Sequence, residues 1–246
     1  MSMRFPAIVP AAFAALALMT TGAAAAESAG QWASFGGPTG RFIHTALPRT
    51  LPAEPEPLWQ RPVKGMAYAP VAADEELVVI PDHDGAFDYY YAHAAESGEP
   101  RWTHQVENGR EMDFGASPRA RPLFYEELVI VMSAWGRLQA LERQDGKVRW
   151  EVDLPVAFEA EPPVWGYCAT PHLGPRGIVI NPGGEAGGLV CLNPEDGSVV
   201  WTAPSRRSSY ASFLETTFQG VPQLITYDEA YLRAHDPASG EVLWTL

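Results

Sequence analysis

Four stretches of this chain share one spelling: AHAAESGEPRW from Ala92, ALERQDGKVRW from Ala140, CLNPEDGSVVW from Cys191 and AHDPASGEVLW from Ala234. Each places a small residue first, a Gly six positions on and a Trp four after that. The Trp residues, 102, 150, 201 and 244, are 48, 51 and 43 residues apart. Periods of about 40–50 residues belong to four-stranded propeller blades, whose faces are buried only by stacking on neighbours.

The wording inside each period agrees. YAPVAAD, ELVVIPD, FDYYYAHAA and EPRWTHQV form one set of four short strand candidates between polar or glycine-containing breaks. SPRARPLF, ELVIVMS, RLQALER and KVRWEVDL form the second set. YCATPHL, GIVINP, GLVCLNP and SVVWTAP form the third, and ASFLETTF, PQLITYD, AYLRAHD and EVLWTL the fourth. The turns between third and fourth strands hold Gly98, Gly146, Gly197 and Gly240, where a tight hairpin needs positive φ. The small residues, Ala92, Ala140, Cys191 and Ala234, fall on the third strand, where a neighbouring blade packs close. Trp102, Trp150, Trp201 and Trp244 fall on the outer strand, each able to cover a seam and dock its N–H on backbone. The expected fold is all-β: a propeller of about four complete blades over residues 68–246.

The motif resembles the tryptophan-docking pattern A-x-D-x-x-T-G-x-x-x-W of the pyrroloquinoline quinone (PQQ) repeat family. Its Asp position reads Ala94, Glu142, Asn193 and Asp236, and its Thr position Ser97, Asp145, Asp196 and Ser239. The resemblance spans roughly residues 31–246. It implies a propeller, and in the family's dehydrogenases a catalytic Asp, a Ca²⁺ site, a Trp under the quinone and often adjacent cysteines. No vicinal Cys pair exists here, and no Ca²⁺-ligand set matches residue by residue. No bound cofactor is therefore expected, PQQ with Ca²⁺ is disfavoured, and a quinoprotein oxidoreductase or a truncated relative of one is the alternative function. A further resemblance is to the propeller lipoprotein of the outer-membrane barrel assembly machinery, although no Cys follows the apolar N-terminal run.

Residues 1–26 read as a signal peptide: Arg4, then the 13-residue apolar run from Ala7 to Met19, then an A-x-A site at Ala24 and Ala26. That run is short of the ~20 residues a spanning helix needs. The expectation is an exported protein, periplasmic or secreted and soluble after cleavage near Ala26. Residues 27–67 are expected to carry one strand of a further blade around Trp59, so that the ring is incomplete, or needs an oligomer or downstream blades to close. Cys168 and Cys191 could pair in an oxidising compartment or remain two buried thiols.

A formal net charge of -13 argues against a nucleic-acid partner, which needs a basic groove. In DHDG, Asp82, His83 and Asp84 could ligate a cation, but an Asx turn closed by Gly85 is preferred, and no metal site or catalytic residue is assigned. NPGGEAGG lacks the glycine spacing of a nucleotide loop, and no G-x-S-x-G is present. The loops between blades are long and hold Arg110, Trp135, Trp165, Arg206 and Arg207. Arg and Trp are enriched at interface hot spots, so this end is the candidate binding face for a protein, polysaccharide or envelope component. Alternatively, Trp165 and its prolines only brace the crossing between blades.

Overall fold

The computed structural model describes residues 50, 52–65 and 68–246. The signal peptide assigned to residues 1–26 lies outside the described residues. Among those described, the strands form four antiparallel four-stranded sheets, each built from consecutive strands. Blade 1 holds β1 (Ala72–Ala73), β2 (Leu77–His83), β3 (Phe87–Ala94) and β4 (Pro100–Glu107). Blade 2 holds β5 (Leu123–Tyr125), β6 (Leu128–Met132), β7 (Arg137–Glu142) and β8 (Val148–Asp153). A single-turn helix, α1 (Leu154–Phe158), leads into blade 3, which holds β9 (His172–Gly174), β10 (Gly177–Ile180), β11 (Leu189–Leu192) and β12 (Val199–Ala203). Blade 4 holds β13 (Leu214–Phe218), β14 (Val221–Tyr227), β15 (Leu232–His235) and β16 (Val242–Thr245).

Both faces of an inner blade are covered, which is why LVIVM of β6 and LVCL of β11 are apolar throughout and buried at every position. Val129, Val131 and Leu141 pack against Ala72, Val79 and Ala92 of blade 1. From the opposite face of the same sheet, Leu128, Ile130 and Ala140 pack against Ile178, Val190 and Leu192 of blade 3. A third core joins Val179, Leu189 and Cys191 to Leu224 of blade 4. The small residue of each motif pairs directly with its Trp across the strands: Ala92 with Trp102, Ala140 with Trp150, Cys191 with Trp201, Ala234 with Trp244. A register shift follows each pair, the bulge that turns the outer strand into its glycine hairpin. The three cores link blades 1 to 2, 2 to 3 and 3 to 4, so the described blades make an open arc.

The indoles of the first three outer strands reach forward to the next blade. A Cβ on Gly146 would meet Trp102 at 2.6 Å, and one on Gly240 would meet Trp201 at 2.5 Å. Trp102 Nε1 donates to the Arg143 carbonyl at 2.8 Å, and Trp150 Nε1 to the Pro194 carbonyl at 2.6 Å. Trp201 keeps the packing, but its N–H has no acceptor among the described residues. Each such burial is worth about 2–3 kcal/mol of apolar transfer.

Two features differ from the sequence reading, and a third that it left open is decided by the structure. Trp244 does not dock forward; it is half-buried, and its Nε1 donates to Gln223 of its own blade at 2.9 Å. The segment around Trp59 forms no strand among the described residues, and no described strand lies beside it to supply ladder bonds. Its indole alone behaves like those of the outer strands, packing over Gly98 and donating to the Ala95 carbonyl at 2.8 Å. The pairing of Cys168 with Cys191, left open by sequence, does not form. Cys191 faces the core between blades 3 and 4, whereas the Cys168 thiol sits in the loop before β9 against the Trp165 and Gly166 carbonyls.

Candidate functional site

One end of the arc gathers the inter-blade loops 108–122, 154–171 and 204–213 with the turns between second and third strands. They are sewn together by backbone bonds. Tyr167 N donates to the Ala134 carbonyl at 2.9 Å, Ala186 N to that of Phe158 at 3.2 Å and Glu229 N to that of Arg207 at 3.3 Å. The loop after β8 is ordered first by α1. Asp153 caps the helix by accepting from Val156 N, Pro155 lies in its first turn, and Glu159 ends it at φ 52°. Gly166 then passes so close to the β6–β7 turn that a Cβ would lie 2.6 Å from the Ala134 carbonyl oxygen and 3.0 Å from Met112 Sδ. That approach brings loop 108–122, turn 133–136 and loop 154–171 into one surface.

The five residues named from sequence divide into three groups there. Arg110 lays its guanidinium over Trp135, 4.1 Å from the ring centroid. Trp165 stacks on Tyr210 with centroids 5.1 Å apart and meets Phe114 edge-on at 6.3 Å. Arg206 and Arg207 belong to the next loop, where the Arg206 amide donates to Asp228 and the Arg207 guanidinium pairs with Glu161. Phe114 and Tyr210 were not singled out by sequence. Isolated aromatics in loops carry no periodic signal, and Phe114 is distinguished only by its left-handed backbone, φ 66°. Exposure of Phe114, Trp165 and Tyr210 is 74%, 47% and 41%, so three loops contribute one apolar ridge facing solvent.

Beneath this end lie carboxylates already committed to the fold. Asp82 is fully buried and accepts from the amides of Lys64, Gly65 and His83. Asp84 accepts from Ala86 N and Phe87 N, closing the turn of DHDG. Asp88, also fully buried, takes the Asn108 amide on both oxygens at 3.0 and 2.9 Å and His83 Nδ1 at 2.9 Å. Burial pushes the Asp88 carboxyl up to about 6, with Asn108 and His83 partly opposing the rise. Asp228 accepts from the amides of Arg206, Ala230 and Tyr231 and pairs with Arg233. Among the described residues, no group of three or more His, Cys, Asp or Glu side chains is placed to hold a cation. Oxygens so fully engaged do not fit the calcium of a calcium–quinone pair.

Repeated four-stranded sheets joined by forward-docking indoles define the fold, and residues 52–163 match the PQQ-repeat family described as outer membrane protein assembly factor BamB. The chain has the β-propeller fold and is similar to PQQ-repeat propellers. Over 191 residues this propeller is 25% identical to outer membrane protein assembly factor BamB of Burkholderia pseudomallei (strain K96243), covering 76% of this chain and 46% of that protein. The crystal structure of BamB from Moraxella catarrhalis is similar with a TM-score of 0.54 at 22% identity, covering 76% of the propeller and 55% of that chain. Quinohemoprotein alcohol dehydrogenase from Comamonas testosteroni is similar with a TM-score of 0.52 at 15% identity, covering 75% and 35% respectively. The last two likenesses concern the fold. The chain spans about half the length of the assembly factors it resembles.

Proposed function

We propose that this β-propeller is a non-catalytic scaffold of the bacterial envelope, exported by a signal peptide over residues 1–26, that binds another protein through its loop-rich end. The observation that carries the reading is the ridge of Phe114, Trp165 and Tyr210, three exposed aromatics delivered by three different inter-blade loops. Large rings held by their neighbours lose little entropy on binding and bury much apolar area, which makes them anchors. Arg110 over Trp135, with Arg206 and Arg207, extends the same end with groups that can pair at a rim. A protein fits better than a polysaccharide, because Tyr210 already covers one face of Trp165 and leaves it a poor platform for a sugar ring. The relatives named as assembly factors support a binding role.

The test is site-specific photo-crosslinking in the envelope, with a benzophenone side chain at position 165 or 210 and, as control, at Ser97 in a turn between third and fourth strands. Discrete protein adducts at 165 and 210 but not at 97 are expected. No adduct at either loop position, or equal labelling at all three, would defeat the reading. A quinone absorbance band retained on the protein after gel filtration with PQQ and Ca²⁺ would favour the oxidoreductase alternative instead.

A further inference from the structure

Loop 108–122, between blades 1 and 2, carries a turn that its own sequence opposes. Met112, Asp113, Phe114 and Gly115 form a β-turn closed by Gly115 N donating to the Met112 carbonyl at 2.9 Å. Phe114, third of the four, has φ 66°, a left-handed conformation that this position ordinarily gives to glycine or asparagine. A glycine stands next along the chain, with φ 84°. The strained place is taken instead by an aromatic ring that is 74% exposed and belongs to none of the three cores. Strain of this kind persists only where surrounding contacts over-determine it.

Those contacts converge on Arg119. Its Nη1 donates to the Ser117 carbonyl at 2.7 Å, and its Nη2 to the carbonyls of Asp113 and Gly115 at 3.2 and 2.7 Å. The guanidinium therefore grips the main chain on both sides of Phe114. Its Cζ lies 5.2 Å from the centroid of Tyr68, whose amide donates to Ser117 Oγ at 3.3 Å. Asn108 closes the base of the loop, its side-chain amide reaching the Ala116 carbonyl at 3.0 Å as well as both oxygens of buried Asp88. A planar fork of donors serves three carbonyls at once, which the point charge of a lysine does not.

We infer that Phe114 is the insertion anchor of the loop-rich end, entering an apolar pocket with a basic rim on the partner protein, and that Arg119 is the residue that positions it. This rests on the protein-binding reading above and names the chemistry of the partner. A ring fixed in advance by its own backbone loses little freedom on entering a pocket. The sign of the rim follows from Glu111 and Asp113, exposed carboxylates on the same loop. The cations of that loop are directed elsewhere, Arg110 over Trp135 and Arg119 onto carbonyls.

The test uses the full chain in the envelope, with the benzophenone side chain at position 210 as reporter, beside the melting temperature of the purified protein. Phe114→Gly relieves the left-handed strain, so it should melt no lower than wild type while adduct yield falls on the order of tenfold. Arg119→Lys should also lower the yield and speed hydrogen exchange at the Gly115 amide. In the Phe114→Gly background it should cost no further yield, since it acts through the ring. Asp113→Lys should lower the yield more than Asp113→Asn. A yield that survives Phe114→Gly overturns the inference and leaves the binding reading standing, whereas a wild type without adducts at 165 and 210 removes both. A lower melting temperature for Phe114→Gly, or a benzophenone at 114 that links only to its own chain, overturns it too, because the ring would then brace the fold. Equal yields from the two Asp113 variants overturn the basic rim, and a further loss from Arg119→Lys without the ring overturns the role of Arg119.

Discussion

The indole of Trp150 lies on Gly197 of the following blade, with its Nε1 donating to the Pro194 carbonyl at 2.6 Å. A Cβ on Gly197 would come within 2.9 Å of the indole Cε3. The Gly and Trp of one motif copy therefore never meet; each glycine serves the indole before it. Gly197→Ala combines a left-handed backbone at φ 72° with a displaced indole. The expected loss is about 2–3 kcal/mol, read as a lower urea midpoint. Trp150→Ala should lose about 3–5 kcal/mol.

Trp165→Ala provides the contrast. That indole is 47% exposed and closes no inter-blade core, so truncation should move the unfolding free energy by no more than about 1 kcal/mol. A loss on the scale of Trp150→Ala would mean that the ridge is a brace of the fold rather than a surface.

Asp88 gives a pH dependence with a definite sign. Its carboxyl titrates near 6 when folded, against 3.8 as its ordinary value, so the folded chain binds this proton more tightly. The group's contribution to stability is greatest below about pH 4 and is lost as pH rises through about 6. Melting temperature of the wild type minus that of Asp88→Asn should therefore fall across that window. A flat difference, or one that rises, contradicts the assignment.

The two thiols should react unequally in the native protein. Cys191 is fully buried on β11, and burial pushes its thiol up to about 11, so little thiolate forms at neutral pH. Burial also raises the Cys168 thiol, but its side chain is only half-buried in the loop before β9. Iodoacetamide mass labelling should modify Cys168 first, and Cys191 only on unfolding. Equal rates would contradict the interior placement of Cys191.

The hairpins of the blades were legible because their chemistry is local. Gly98, Gly146, Gly197 and Gly240 mark the turns, and a small residue and a Trp pair across each hairpin. The innermost strands were read too long: YAPVAAD shrinks to Ala72–Ala73, and SPRARPLF contributes only its last two residues to β5. Pro70, Pro118 and Pro122 remove ladder donors there, as proline must. Helix α1 was read as loop, although Asp153 before Pro155 is a helix-start signal. At the loop-rich end, Arg110 and Trp135 were both named, but that one stacks on the other was not readable.

By itself the sequence determined the repeating unit, its four strands and its glycine turns, since backbone preference and side-chain alternation act over a few residues. The tertiary structure decided which glycine receives which indole, that Trp59 fills the first receptor, that Asp88 is sealed from water, and that Phe114, Trp165 and Tyr210 meet. Those outcomes join residues far apart along the chain. They depend on how successive sheets stack and how their loops cross, geometry that no short stretch of sequence contains.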